Sequence, residues 1–217
     1  MSSVPPAPSA ATPPRRPRWL VAALVGALIF GAGCWTEGCE RLAFYRGDHD
    51  GREQANQELK DDGDRARVEA LYAHWVDVAD LERNRAIPFA AATFVLGAAL
   101  LALAGRGLAG RSNARSAIIQ VVAAQAIVVA ASWWMLRDVR HAEWNWTVEQ
   151  AIAKKKETTS PAEFEQAAPA ARTLMHGFSP AWLVIRTACS ALIVFALTRQ
   201  RSRELFEAKA KGQEAER

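Results

Sequence analysis

Apolar residues fall along the chain in four blocks, and the charges fall between them. The blocks are 19–35 (WLVAALVGALIFGAGCW), 86–104 (AIPFAAATFVLGAALLALA), 117–136 (AIIQVVAAQAIVVAASWWML) and 178–198 (FSPAWLVIRTACSALIVFALT). Each approaches the roughly 20 apolar residues a helix needs to cross about 30 Å of hydrocarbon. The first is the shortest, and Trp19 and Trp35 bracket it as interfacial aromatics do. None contains Asp, Glu or Lys, and Arg186 in the fourth is the only cation. Lipid admits only helices or closed barrels, and Ala/Leu/Val-rich blocks of this length are helices. The pattern predicts an all-α membrane protein with four transmembrane helices.

The two long segments between blocks also read as helical. In 36–85, Val68, Leu71, Trp75 and Val78 recur at i, i+3, i+7 and i+10, an apolar seam on one helix, whose plainer partner is segment 137–177 of the same chain and whose sharper reading is a docking face for another protein or another copy. Asp64, just after Gly63, is the expected N-cap, and the helix is expected to run on into the second span, with Pro88 near that span's start. Segment 137–177 continues the third helix through Trp144 and Trp146 to about Lys156. Ser160-Pro161-Ala162-Glu163 then has the form of a capping box with proline at the first helical position. It predicts a short helix, bent at Pro169 and ending at Gly177, before Ser179-Pro180 opens the fourth span. Loops 1 and 3 thus form a helical extracytoplasmic cap on the transmembrane domain, 19–198. The ends are a Pro/Arg-rich tail, 1–18, without an apolar face and expected to be disordered, and a charged tail, 199–217. There is no internal repeat and no strand pattern.

Whole-chain averages conceal this organisation. The 217 residues are 50% hydrophobic and 23% charged, and the mean hydropathy is −0.08, values usual for a soluble protein. Segregation of the apolar residues excludes a single water-soluble core, a disordered chain, a collagen and a disulfide-stapled mini-protein. Residues 1–18, 105–115 and 199–217 hold 12 Lys+Arg and 4 acidic residues in 48 positions. Residues 36–85 and 137–177 hold 14 and 19 in 91 positions. Basic density is higher on the first side, and loop 105–115 carries Arg106, Arg111 and Arg115 with no acid. The positive-inside rule puts both termini and that loop in the cytoplasm, as expected for a protein of the cell inner membrane. Arg83, Arg85, Arg137, Arg140 and Lys154–Lys156 pull the other way without reversing the bias. Trp35, Trp133, Trp134 and Trp182 fall near the outer ends, as an aromatic belt would. The net charge of +4 needs no nucleic acid to explain it; the lipid bilayer is the partner implied.

Arg186 is the first candidate for chemistry. It lies eight residues into its span, about 12 Å below the outer end at 1.5 Å per residue. A charge at that depth is costly and marks a functional candidate. No span contains an acid to pair with it; Gln125 lies at a similar depth on the third span, and Ser132 higher. One reading is an anion, lipid phosphate or quinone carbonyl held by Arg186 with Gln125 and Ser132. The other is a side chain that snorkels outward to headgroups and to Asp138 or Glu37. Gln120, Thr93, Thr187 and Ser190 read as helix-to-helix glue, and Ala23, Ala27 and Gly31 as a close-packing face of the first span. No span carries the polar stripe of a pore.

Cys34 and Cys39 flank the outer end of the first span, where an oxidising compartment admits a disulfide, and Cys189 lies in the fourth. Gly31-Ala32-Gly33-Cys34 resembles the lipobox of bacterial lipoproteins, which implies lipidation of Cys34 after cleavage; Gly31 stands where that family usually has Leu. Four spans with a cysteine pair after the first resemble, in topology, the DsbB-type disulfide oxidoreductases, which implies thiol–disulfide exchange with a quinone. Four residues separate Cys34 from Cys39 where that family has two, and 137–177 contains no cysteine for the second pair. The same arrangement resembles claudins, without their Trp-Leu-Trp stretch. His49, His74, His141 and His176 all fall outside the spans, near Cys39 and Asp77 in sequence type but with no metal-ligand spacing, so no metal site is expected. Asp48-His49-Asp50-Gly51 resembles part of an EF-hand loop, yet Arg46 and Gln57 stand where its end ligands belong, and a turn is the plainer reading. Asn145-Trp146-Thr147 is a formal glycosylation sequon. No phosphate-binding glycine loop or nucleophile elbow is present, so no catalytic residue and no cofactor are expected. Three functions are left open. The first is a non-enzymatic structural or interaction protein that docks a partner or a second copy through the 68–78 seam. The second is transport or ligand binding around Arg186. The third is a membrane thiol–disulfide oxidoreductase.

Overall fold

A computed structural model describes residues 17–48, 52, 56–111, 114–200, 202, 204 and 206. Most of the N-terminal tail, residues 49–51, where the sequence predicts a turn, and the tail beyond Phe206 lie outside the described residues. Among the described residues the chain is all helical, with no strand. The six long helices are α1 (Arg18–Tyr45), α2 (Asp62–Leu81), α3 (Arg83–Leu108), α4 (Ala114–Met135), α5 (Arg137–Thr158) and α6 (Pro161–Thr198). Four stretches are long and apolar enough to cross a membrane: α1, α3, α4 and the Pro180–Thr198 part of α6. Their large apolar side chains point outward: Ile29, Ile127, Val184 and Leu192 are each about two-thirds exposed. Such a surface is stable against lipid and not against water.

The helix ends follow local chemistry. Glycine allows α1 and α3 to stop in the same way. At each end a glycine adopts positive φ (Gly47, 97°; Gly110, 86°). Gly47 N–H donates to Phe44 O at 3.0 Å and Asp48 N–H to Ala43 O at 3.1 Å. Gly110 N–H donates to Gly107 O at 2.9 Å and Arg111 N–H to Arg106 O at 3.1 Å. Both are Schellman closures. α1 therefore runs ten residues past the expected span end at Trp35. The cap of α2 is Asp61, whose Oδ1 accepts from Asp64 N–H at 2.9 Å, so the helix begins one turn before the expected Asp64. The expected run-on of outer helices into spans occurs through single-residue joints, Glu82 (φ −94°, ψ 4°) and Leu136 (φ −106°, ψ 32°).

The fourth span differs from expectation. No break occurs at Gly177: α6 is continuous for 38 residues with Pro169 and Pro180 inside it. A proline removes one helical rung at a cost of about 3 kcal/mol, which bends a helix without ending it when good helix formers flank it. The Ala-rich stretch before Arg172 supplies them.

α1 and α3 form the tightest pair. α1 buries Leu20, Leu24, Ala27, Gly31, Cys34 and Gly38; α3 buries Ala86, Ala90, Thr93, Gly97, Leu100, Ala104 and Gly107. Both series alternate steps of four and three, the repeat of a left-handed antiparallel pair. A Cβ on Gly97 would overlap the Trp35 backbone, and one on Gly38 would come within 2.5 Å of Phe94 N. The backbones touch because those side chains are absent.

α2 packs on α5 beside the end of α1. Phe44 stacks on Trp75 at 4.4 Å and Trp75 on Trp146 at 5.1 Å between ring centroids. Asn56, 2% exposed, accepts from Trp146 Nε1 and Gln150 Nε2, both at 3.1 Å. The 68–78 seam packs within the chain, the plainer of its two readings: Val68 and Trp75 are buried, with Leu71 and Val78 packed against the same cluster. The seam's partner is α5 and the end of α1.

Candidate functional site

Where α1, α3, α4, α5 and α6 converge there is a cavity of about 470 Å³. α1 contributes Glu37 and Arg41, one helical turn apart. α5 contributes Arg140, Glu143, Trp144 and Thr147, again on one face. The end of α4 supplies Ser132 and Trp133, the start of α3 supplies Phe89 and Thr93, and α6 supplies Phe178, Trp182 and Arg186. The cavity lies at the ends of the four apolar spans, where the chain passes from apolar to charged sequence.

The charges form a chain. Arg186 Nη1 lies 2.7 Å from Glu37 Oε2. The other oxygen of Glu37 meets Arg41 Nε at 3.2 Å. Arg41 Nη1 reaches Glu143 Oε2 at 3.6 Å. Arg186 Nη2 also donates to Cys34 Sγ at 3.1 Å, and its guanidinium lies 5.8 Å from the Phe30 ring. Arg140 stands apart. Its guanidinium lies 3.6 Å from the Trp133 ring centroid and donates to Trp133 O, and among the described residues no carboxylate pairs with it. Burial, and then the neighbouring Arg41 charge, push its pKa below the ordinary arginine value; a guanidinium nevertheless remains charged. Three cations and two anions leave the lining with one excess positive charge.

Its other polar groups are mostly engaged. Thr93, Ser132 and Thr147 each donate to a carbonyl of their own helix, to Phe89, Val129 and Glu143 respectively. Trp144 Nε1 is buried without an acceptor.

The sequence candidates fall as follows. Arg186 and Ser132 both line the cavity; Gln125 is fully buried away from it, with neither amide atom hydrogen-bonded. Of the two carboxylates considered for Arg186, Glu37 pairs with it, whereas Asp138 lies beside Arg137 at 3.5 Å. Cys34 is buried and Cys39 exposed, and both thiols are free, so the disulfide considered from the sequence is not formed. Five residues apart on one helix, they point about 140° from each other. Among the described residues no three His, Cys, Asp or Glu side chains group to hold a metal; His49 lies outside those residues. Arg41, Arg140, Glu143 and Trp144 were missed as site residues. Their signal was present: Glu37/Arg41 and Arg140/Glu143 repeat at helical spacing just beyond two span ends.

Comparison with protein-family models, with curated proteins and with solved structures gave no match to this chain.

Proposed function

We propose that this is a non-enzymatic, multi-pass protein of the cytoplasmic (inner) membrane that binds an anionic ligand in the cavity beside Arg140 and Arg186. Both termini are cytoplasmic in this reading and the α2/α5 pair is extracytoplasmic, supported by the basic loop at Arg106, Arg111 and Arg115. The observation that carries the binding reading is Arg140: a cation without a carboxylate partner among the described residues, in the wall of a cavity of ligand size. Arg140 is only partly buried, so water offsets part of its charge, and an anion in the cavity would complete it. The seam that favoured partner docking is occupied within the chain, which removes the main support for the interaction reading.

Native mass spectrometry of protein extracted in mild detergent tests this. An acidic molecule retained by wild type and absent from Arg140→Gln is the expected result. Wild type and Arg140→Gln both emerging bare, or carrying the same adducts, would overturn the proposal.

A further inference from the structure

The cavity has two halves of different chemistry, and together they define a ligand class. On one side stands Arg140, its guanidinium against the Trp133 ring. On the other is an aromatic wall in which Trp144 stacks on Phe178, and Phe178 on Trp182, both at 6.2 Å. Phe178 and Trp182 line the cavity and are also about half exposed on the outer surface of α6. This wall therefore separates the charged interior from the apolar exterior of the bundle by one layer of rings. The cavity sits where spans end, the depth at which lipid oxyanions meet acyl chains.

Resting on the anion-site reading above, we infer that the ligand is an amphiphile: a singly charged oxyanion, phosphodiester or carboxylate, held by Arg140, with an acyl chain along Phe178 and Trp182. One excess positive charge in the lining matches one negative charge on the ligand. A dianion would leave a net negative charge in the cavity. A small inorganic anion would leave the aromatic wall without a role. Glu37 and Glu143 already neutralise Arg186 and Arg41, so Arg140 carries the selectivity.

The full chain in nanodiscs, with tryptophan emission quenched by bromine on the acyl chains, tests the inference. Brominated phosphatidylglycerol, brominated phosphatidylcholine and dibromostearate are the probes, and the singly charged phosphodiester glycerophosphoglycerol is the soluble competitor. The expected result is an apparent affinity about five-fold higher for at least one of the two acidic probes than for phosphatidylcholine. That excess should vanish in Arg140→Gln, persist in Arg140→Lys and resist glycerophosphoglycerol. The phosphodiester and the fatty acid are distinguished by which acidic probe shows the excess. Equal quenching by all three probes overturns the amphiphile class. If glycerophosphoglycerol or acetate then still protects Arg140 from phenylglyoxal, the anion site itself stands. If neither does, both readings fail. An excess unchanged in Arg140→Gln, with helical circular dichroism preserved, also overturns the inference.

Discussion

Arg186 Nη1 and Glu37 Oε2 lie 2.7 Å apart although 149 residues separate them in the chain. The pair joins the last span to the first, and Glu37 also holds Arg41 with its second oxygen. Glu37 is one-third exposed and Arg186 13% exposed, so the pair is partly screened. Replacing Arg186 with Leu should cost about 1–3 kcal/mol, less than a fully buried pair. Glu37→Gln should cost a similar amount, and the double variant clearly less than the two together. Thermal unfolding in detergent, arranged as a double-mutant cycle, reads the coupling. Strict additivity would show that the contact contributes nothing.

The α1/α3 seam makes a prediction about glycine. Gly97→Ala puts a methyl against the Trp35 backbone, and the helices must separate along their length. A loss of about 1–3 kcal/mol is expected. Gly26→Ala, on the same helix pair but with open space around it, should be neutral or slightly stabilising. Equal melting temperatures for the two variants would contradict the close approach.

Trp75 is 2% exposed and stacked between Phe44 and Trp146. Trp75→Ala should cost about 3–5 kcal/mol, concentrated in the α2/α5 pair. Asn56→Ala, which leaves Trp146 Nε1 and Gln150 Nε2 without their acceptor, should cost about 1–3 kcal/mol. Hydrogen exchange should show α2 and α5 opening while α1 and α3 stay protected.

The link between α2 and α5 depends on pH. Asp61 is held below its ordinary carboxylate value by the Asp64 N–H first and Lys156 second. Its contribution is therefore present above pH 3.8 and lost as pH falls through the lower folded value. Lys156 is raised above 10.5 by its hydrogen bond to Asp64, so its contribution is present below 10.5 and lost as pH rises through the folded value. The protection factors of amides at the start of α2, which remove the intrinsic pH dependence of exchange, should be flat near neutrality and fall at both extremes. Asp61→Asn, which keeps the cap acceptor, should flatten most of the acid limb. Unchanged acid sensitivity in that variant would refute the assignment.

The thiols report on topology as well as burial. A membrane-impermeant maleimide should label Cys39 rapidly on cells whose outer membrane is permeabilised, and Cys34 only after denaturation. Labelling of Cys39 only after lysis would reverse the proposed orientation. No labelling before reduction would restore the disulfide.

The four apolar helices and the helical nature of the segments between them were legible from periodicity alone, because hydropathy and helix formation are local properties. The apolar seam at 68–78 was legible, and so was its packing on segment 137–177, but not the stacking of Trp75 between Phe44 and Trp146. Two other local readings failed for specific reasons. Gly177 and two prolines looked like a break, yet a missing rung bends a helix where neighbours favour the helical state. Asp64 looked like a cap, but Asp61, three residues earlier, also offers a carboxylate, and the extended backbone there let it accept the amide first.

Arg186 stood out in the sequence because a lone charge in an apolar block is visible without any fold. Its surroundings were not visible. Glu37, Arg41, Arg140 and Glu143 look like ordinary surface charges along the chain, and they become one lining only when five helices converge. Segregation of apolar from charged residues is one-dimensional information, written along the backbone and readable there. Which charges meet, and which cation is left without a partner, depends on helix rotation and crossing. Those follow from close contacts such as Gly97 against Trp35, which exist only once the chain has packed.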